Sequence, residues 1–199
     1  MRELKKIYSE KKNIIEQRLK DFDKNWSDEE LFYELCFCIM AVQTKGRKSD
    51  LVVQELKKKD FYNKKLKLEP ILKKHVRFHN TKSKNLEYAK TILNEVVSIR
   101  KKEKCLAREE LINFVRGFGY KEASHFLRNT GTNGLAILDR HILKNLKRYN
   151  VINELPKSLT KKQYLAIEEK FKDFANEINI PFDHLDLLFW SIETGEVFK

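Results

Sequence analysis

Residues 111–149 contain the residue types that could carry nucleophilic chemistry beside an anion-binding turn. Gly117 and Gly119 are separated by one residue, and glycines so close allow positive φ and let backbone N–H groups approach a phosphate. A helix expected to begin near Tyr120 would direct its free N–H groups to the same place. The pattern predicts a helix-hairpin-helix at about residues 108–130, although a bare Gly-x-Gly is also found in ordinary helix–helix corners.

A lysine and an aspartate accompany this hairpin. Lys121 falls in the first turn of its second helix, and Asp139 follows 18 residues later, directly before a helical pattern. An amine attacks carbon only when neutral, and at an ordinary pKa near 10.4 about 0.04% is neutral at pH 7. Burial and a neighbouring positive helix end would lower that pKa, while Asp139 could stabilise a developing cation. Taken singly, the two residues are also typical of a solvated surface lysine and a plain N-cap.

The chain resembles the archaeal-type (second-class) 8-oxoguanine DNA glycosylase/AP lyases of the helix-hairpin-helix superfamily. The resemblance covers about residue 31 to the end and rests on the strings GFGYKEASHFLRNTG, LAILDRHILK, ELCFCI, RF and LDLLFW. It implies an all-α fold in which two helical lobes flank a DNA-binding cleft. It also implies excision of 8-oxoguanine, with Lys121 as the nucleophile that forms a Schiff base and Asp139 as the carboxylate that assists it.

The same resemblance assigns residues to DNA binding and to recognition of the damaged base. Contacts to DNA are implied for Gly117, Gly119, His141 and Gln43, the last filling the gap that the flipped nucleotide leaves. Gln43 departs from the family pattern, which has asparagine there. The residues implied for base recognition are Phe78, Trp190, Asp186 and Lys199. For Trp190, Asp186 and Lys199 the ordinary alternatives are, in that order, a core residue, a charge at a helix start and a frayed tail.

The C-terminal residues after Gly195 include two apolar side chains, Val197 and Phe198. Two apolar residues in so short a tail suggest that it folds back and docks. In the resembling enzymes a lysine just beyond a similar pattern lies close to the bound base. A terminal lysine has an ammonium and a carboxylate, which can donate to and accept from a purine edge.

Composition narrows the class of partner. Lys and Arg number 41 against 29 Asp and Glu, which gives a net charge of +12 and favours a polyanion. Double-stranded DNA with 8-oxoguanine or abasic sites is the partner that the resemblance implies. The chain has no apolar run of membrane-spanning length and no secretion signal, so we expect a cytoplasmic monomer that is nucleoid-associated when bound to DNA.

Cysteine usage gives no indication of a metal centre. Cys36 and Cys38 lie in an apolar run, which predicts buried free thiols, and no four-cysteine cluster occurs that could hold zinc or an iron–sulfur group. We expect no metal and no organic cofactor, because an amine and a carboxylate suffice for the implied reaction.

Helical periodicity and capping signals predict one all-α domain over residues 1–199. Capping boxes are expected at Ser27 with Glu30 and at Thr160 with Gln163. Further helix starts are expected at Ser83, about Arg108, Asp139 and Asp183, and the expected central core helix covers Leu31–Val42.

Two other functions fit parts of the pattern. An endonuclease III-like glycosylase for oxidised pyrimidines would share the hairpin, but such enzymes usually carry four clustered C-terminal cysteines. A non-catalytic helix-hairpin-helix module would also grip DNA, but it needs neither Lys121 nor Asp139.

Overall fold

The computed structural model describes residues 1–199 and contains helices joined by turns and loops, with no β-strand. This confirms the all-α class. The helices are α1 Arg2–Phe22, α2 Asp28–Ala41, α3 Gly46–Lys58, α4 Glu69–Lys73, α5 His79–Thr91, α6 Leu93–Arg100, α7 Lys104–Phe114, α8 Tyr120–Asn129, α9 Arg140–Arg148, α10 Lys161–Ile178 and α11 Phe182–Thr194. None of them combines the length and apolar character needed to cross a bilayer.

The chain forms two compact units. Residues 25–130 form the hairpin unit, which contains α2 to α8. Its centre is α2, where every residue from Leu31 to Met40 is buried, so α2 contacts α3, α5, α6 and α8 on different sides. The expected central core helix is confirmed. Both thiols of α2, Cys36 and Cys38, are buried and free, and burial raises the pKa of Cys36.

Residues 1–24 and 131–199 form the terminal unit, which contains α1 and α9 to α11. Helix α11 packs against each of the other three helices. Its Phe189 ring lies parallel to Phe171 and to Tyr149, with ring centroids 5.6 Å away in both cases. Such large buried rings contribute most of the apolar area in a core of this size.

Local signals located several helix starts. Ser27 and Thr160 each accept a hydrogen bond from the third residue of their helix, as the capping boxes predicted. Asp139 caps α9 through its Oδ1, which accepts from the N–H groups of His141 at 2.7 Å and Ile142 at 2.9 Å. These three predicted caps are confirmed. They could be predicted because a cap depends only on residues within one helical turn.

Three other expected helix starts were wrong. Helix α5 begins at His79 rather than Ser83, whose hydroxyl instead donates to the His79 carbonyl. Helix α7 begins at Lys104, because Glu103 caps it by accepting from Cys105 and Leu106 N–H. Helix α11 begins at Phe182 after Pro181, and the Asp183 carboxylate accepts a hydrogen bond from the distant Gly134 N–H at 2.9 Å.

Candidate functional site

The predicted helix-hairpin-helix is present in the hairpin unit. Helix α7 ends at Phe114, residues 115–119 make the turn, and α8 begins at Tyr120. The Phe118 side chain is buried and anchors the turn from within. On the outside, the Arg116 guanidinium lies 3.9 Å from the centre of the Tyr88 ring of α5. The turn is therefore held on two sides while its glycines stay at the surface.

The two glycines of the hairpin have different roles. Gly117 has φ of +87°, and a Cβ there would lie 2.9 Å from the Asn85 side chain, so both conformation and space favour glycine. Gly119 has an extended backbone, φ −118°, that any residue adopts. The expectation of positive φ is therefore confirmed for Gly117 and wrong for Gly119, because an N-cap residue takes extended angles.

Lys121 is the second residue of α8, and its Nζ lies 2.9 Å from Oε1 of Glu122. The other oxygen of that carboxylate accepts from the Gly119 N–H at 3.2 Å. Glu122 therefore joins the hairpin backbone to the lysine ammonium. The Lys121 side chain is about one quarter exposed, 28%, so its amine is accessible without being fully solvated.

A second lysine of the hairpin unit is buried nearby. Lys82 on α5 is 4% exposed. Its Nζ donates to the carbonyl oxygens of Met40 and Val42 and to Oγ1 of Thr44, at 2.8, 2.7 and 2.8 Å. Burial, and secondarily the positive charge of Lys121, lower the pKa of Lys82 to about 8.

Two exposed residues of the hairpin unit other than glycine have left-handed backbones. Gln43, in the loop after α2, has φ of +51°, and Phe78, directly before α5, has φ of +56°. The Phe78 side chain is 57% exposed. A side chain other than glycine in this region costs about 1 kcal/mol or more, and such strain is concentrated at functional positions.

Asp139 lies in the terminal unit, directly after a loop segment, residues 134–138. Side chains from other helices accept the backbone N–H groups of this segment. Asp183 binds Gly134, Glu168 binds Ala136 at 2.8 Å, Asp186 binds Ile137 at 3.3 Å, and the Tyr164 hydroxyl binds Leu138 at 3.2 Å. Tyr164 also donates to the Ala136 carbonyl at 2.6 Å.

Side chains thus bind four backbone N–H groups of a segment that is neither helix nor strand. These four N–H groups and the Ala136 carbonyl are satisfied by side chains, which hold the segment in place up to the Asp139 cap. The position of the Asp139 carboxylate is thus determined by α9 after it and by α10 and α11 before it.

An aromatic cluster of the terminal unit contains two of the predicted site residues. The His141 ring lies 6.4 Å from the Trp190 ring in an edge-to-face arrangement. The Phe198 ring lies 6.2 Å from the same Trp190 ring, and both Val197 and Phe198 are buried. The expected docking of the tail is confirmed, and it brings Lys199, partly exposed, next to this cluster.

Comparison with known proteins places the chain in a family. The family model described as 8-oxoguanine DNA glycosylase matches residues 15–180. The 8-oxoguanine DNA glycosylase/AP lyase of Fusobacterium nucleatum is 40% identical over 99% of this chain and 96% of its own length. The enzyme of the same name from Methanocaldococcus jannaschii is 40% identical over 96% of this chain and 94% of its own.

Solved structures agree with the sequence comparison. The M. jannaschii 8-oxoguanine glycosylase/lyase in complex with a 15mer DNA containing 8-oxoguanine superposes with a TM-score of 0.90 at 37% identity, covering all of both chains. The 8-oxoguanine DNA glycosylase of Thermotoga maritima gives 0.91 at 33% identity, covering 100% of this chain and 97% of that one.

The chain belongs to the 8-oxoguanine DNA glycosylase family. The family that the hairpin strings predicted is therefore confirmed, and with it the helix-hairpin-helix fold.

For this 8-oxoguanine DNA glycosylase family member, the structure distributes the predicted site residues over both units. Lys121, Gly117, Gly119, Gln43 and Phe78 belong to the hairpin unit. The predicted residues of the terminal unit are Asp139, His141, Asp186, Trp190 and Lys199. Asp186 is 5% exposed and its carboxylate holds the backbone at Ile137, a contact that its sequence neighbourhood did not indicate.

Sequence reasoning missed Lys82, Glu122, Tyr164 and Glu168. Glu122 stands at the third position of α8, where a glutamate commonly accepts the N-cap N–H, so its cap contact had a readable signal. Lys82, Tyr164 and Glu168 had none. Each binds backbone atoms 26 to 42 residues away in sequence, and no local sequence pattern predicts such distant partners.

Proposed function

We propose that the protein is a bifunctional enzyme of base-excision DNA repair, which removes 8-oxoguanine from duplex DNA and then nicks the strand. One observation carries the proposal: Lys121 follows the hairpin in the first turn of α8, in a chain whose relatives are named 8-oxoguanine DNA glycosylase/AP lyase over almost its whole length. A module that only grips DNA needs no amine at that position.

DNA binding follows from charge and from the hairpin. The net charge of +12 attracts the phosphate backbone, and counterion release makes such binding strongly dependent on salt. The hairpin turn and the N-terminus of α8 offer backbone N–H groups to a phosphate. A duplex hides the bond between base and sugar, so the damaged nucleotide must leave the stack before it reacts.

Lys121 is the nucleophile of the proposed reaction. Its neutral amine attacks C1′, the bond from C1′ to the base breaks, and the base leaves with a proton. The sugar ring then opens to an imine between C1′ and Nζ. Loss of a proton from C2′ expels the 3′ phosphate, which nicks the strand, and water releases the lysine. The Asp139 carboxylate stabilises the positive charge that develops on the sugar.

Recognition of the base uses aromatic and charged groups. Trp190 and the exposed Phe78 ring offer stacking surfaces, and Lys199 and Asp186 offer charged partners for the purine edge. His141 contacts phosphate from the start of α9, and Gln43 fills the gap in the duplex. We expect the enzyme to act as a monomer without a cofactor, in the cytoplasm and on the nucleoid when bound.

The deciding experiment compares two damaged duplexes. Labelled DNA with 8-oxoguanine or with thymine glycol is incubated with the protein and borohydride, in EDTA. We expect a covalent protein–DNA adduct and base release with 8-oxoguanine. Adduct formation with thymine glycol alone would favour the endonuclease III-like alternative, and binding without any adduct would favour a non-catalytic module.

A further inference from the structure

The buried Lys82 binds the backbone next to Gln43 and at Phe78, the two exposed residues other than glycine that have left-handed backbones in the hairpin unit. Its ammonium binds the Met40 and Val42 carbonyls and the Thr44 hydroxyl, which bracket Gln43 on both sides. Its own backbone N–H donates to the Phe78 carbonyl at 2.9 Å, the first hydrogen bond of α5. Residue 82 therefore supports Gln43 through its side chain, and Phe78 through a main-chain N–H that any residue except proline would supply.

The geometry matches the chemistry of an ammonium group. A lysine ammonium has three N–H donors and no acceptor, and here it has three oxygen acceptors within 2.8 Å. The Met40 and Val42 carbonyls lie at the C-terminal end of α2, where carbonyls lack partners within the helix. Lys82 thus satisfies the end of the central core helix and determines where the Gln43 loop leaves it.

The ammonium of Lys82 also interacts electrostatically with Lys121, the proposed nucleophile. Lys121 is near enough for its charge to lower the pKa of Lys82, to about 8, after the larger effect of burial. Burying a cation costs folding free energy unless its hydrogen bonds are satisfied. If Lys82 only filled space, an apolar side chain of similar size would therefore serve as well.

We propose that Lys82 is a positioning residue, whose ammonium holds the Gln43 loop in the conformation that it needs inside the damaged duplex. The inference rests on the proposed function, in which Gln43 fills the gap left by the flipped nucleotide. Lys82 itself contacts neither DNA nor the reacting atoms. Without its ammonium the Gln43 loop loses its support, while the main-chain bond to Phe78 and the hairpin that grips the backbone stay intact.

The test begins with Lys82→Met, which keeps the length of the side chain and removes its donors. Lys90→Met is the matched control, because Lys90 lies on the same helix and also binds backbone carbonyls, those of Phe61 and Lys64. Single-turnover excision of 8-oxoguanine from a duplex should be roughly 10- to 100-fold slower in Lys82→Met, as for a displaced site group. Binding to undamaged duplex should stay within about threefold for both variants, because phosphate contacts carry it.

A double-mutant cycle separates positioning from a general structural role. If Lys82 acts through Gln43, then Lys82→Met with Gln43→Ala should be no slower than the slower single variant. Excision that slows by the product of the two single effects would overturn the proposal. So would a Lys82→Met protein that excises at the wild-type rate, or a Lys90→Met protein that is as slow as Lys82→Met.

Thr44→Val keeps the inference testable if Lys82→Met does not fold. It removes one of the three acceptors, leaves the ammonium in place and preserves a β-branched shape at a partly exposed position. We expect excision about 3- to 10-fold slower, the effect of losing the hydrogen bond from Lys82 and the longer one, 3.4 Å, that Oγ1 donates to the Val42 carbonyl. Unchanged excision by Thr44→Val would refute the inference, whereas a wild-type protein that releases no 8-oxoguanine would refute the proposed function itself.

Discussion

The ammonium of Lys121 and the carboxylate of Glu122 form an ion pair at 2.9 Å, and the same carboxylate accepts the Gly119 N–H. Adjacent residues on a helix do not usually face each other, so this pair depends on the glutamate reaching back to the N-cap. The lysine is thereby held on the hairpin side of α8. The amine proposed as nucleophile is thus positioned by the hairpin itself.

Lys121→Gln should abolish the borohydride-trapped adduct on an 8-oxoguanine duplex. Glutamine has similar volume and can still donate to Glu122, but it has no amine and cannot form a reducible imine. Gel analysis of the trapped complex measures the effect, and a binding assay shows that the duplex is still held. Normal trapping by Lys121→Gln would mean that another amine is the nucleophile.

Asp139→Asn should slow excision about 100-fold while leaving the fold intact. Asparagine caps helices as well as aspartate does, so α9 keeps its two N-terminal hydrogen bonds, but the negative charge that stabilises the sugar cation is lost. Single-turnover kinetics measure the excision rate, and a thermal unfolding curve shows whether the fold is intact. An unchanged excision rate would reduce Asp139 to a helix cap.

Tyr164→Phe should lower both stability and excision. The change removes a hydroxyl that bonds to Leu138 N–H and Ala136 carbonyl, directly before Asp139, and the loss costs about 1–3 kcal/mol of unfolding free energy. Tyr149→Phe is the control, since its ring stacks on Phe189 and keeps that contact. Equal excision by the two variants would show that the segment does not position Asp139.

Phe198→Ala should impair excision of 8-oxoguanine more than cleavage at a pre-formed abasic site. The Phe198 ring packs beside Trp190 and holds the tail that carries Lys199, which is proposed to read the base. An abasic site has no base to read, so its cleavage should change little. Both activities are measured on one preparation, and parallel losses in the two would argue for a general effect on folding.

Stability should depend on pH through Lys82 between about pH 8 and pH 10.5. The folded-state pKa is lowered from 10.5 to about 8, so in this window the unfolded chain binds a proton that the folded chain has released. Raising the pH through it therefore favours the folded state. Denaturant unfolding of wild type and Lys82→Met should show wild type gaining stability relative to the variant as pH rises. A difference independent of pH would contradict the shift.

Local chemistry made much of the fold and some of the site predictable. The hairpin, the start of α8, the caps at Ser27, Thr160 and Asp139, and the docked apolar tail each depend on a pattern of a few residues. Family-specific strings around Lys121 then identified the family. The start of α5 escaped prediction because Phe78, a residue with no capping side chain, precedes it in a left-handed conformation.

The sequence by itself determined the all-helical class, most of the helices and the hairpin, because helix propensity, capping and turn chemistry act within about one turn of the chain. The roles proposed for Lys121 and Asp139 came from the family resemblance. The tertiary structure alone decided what supports them. Lys82 meets acceptors 38 to 42 residues away, and Glu168 and Asp186 bind backbone 32 and 49 residues away. Partners so distant meet only after the helices pack, and only then does a buried charge find the oxygens that make its burial possible.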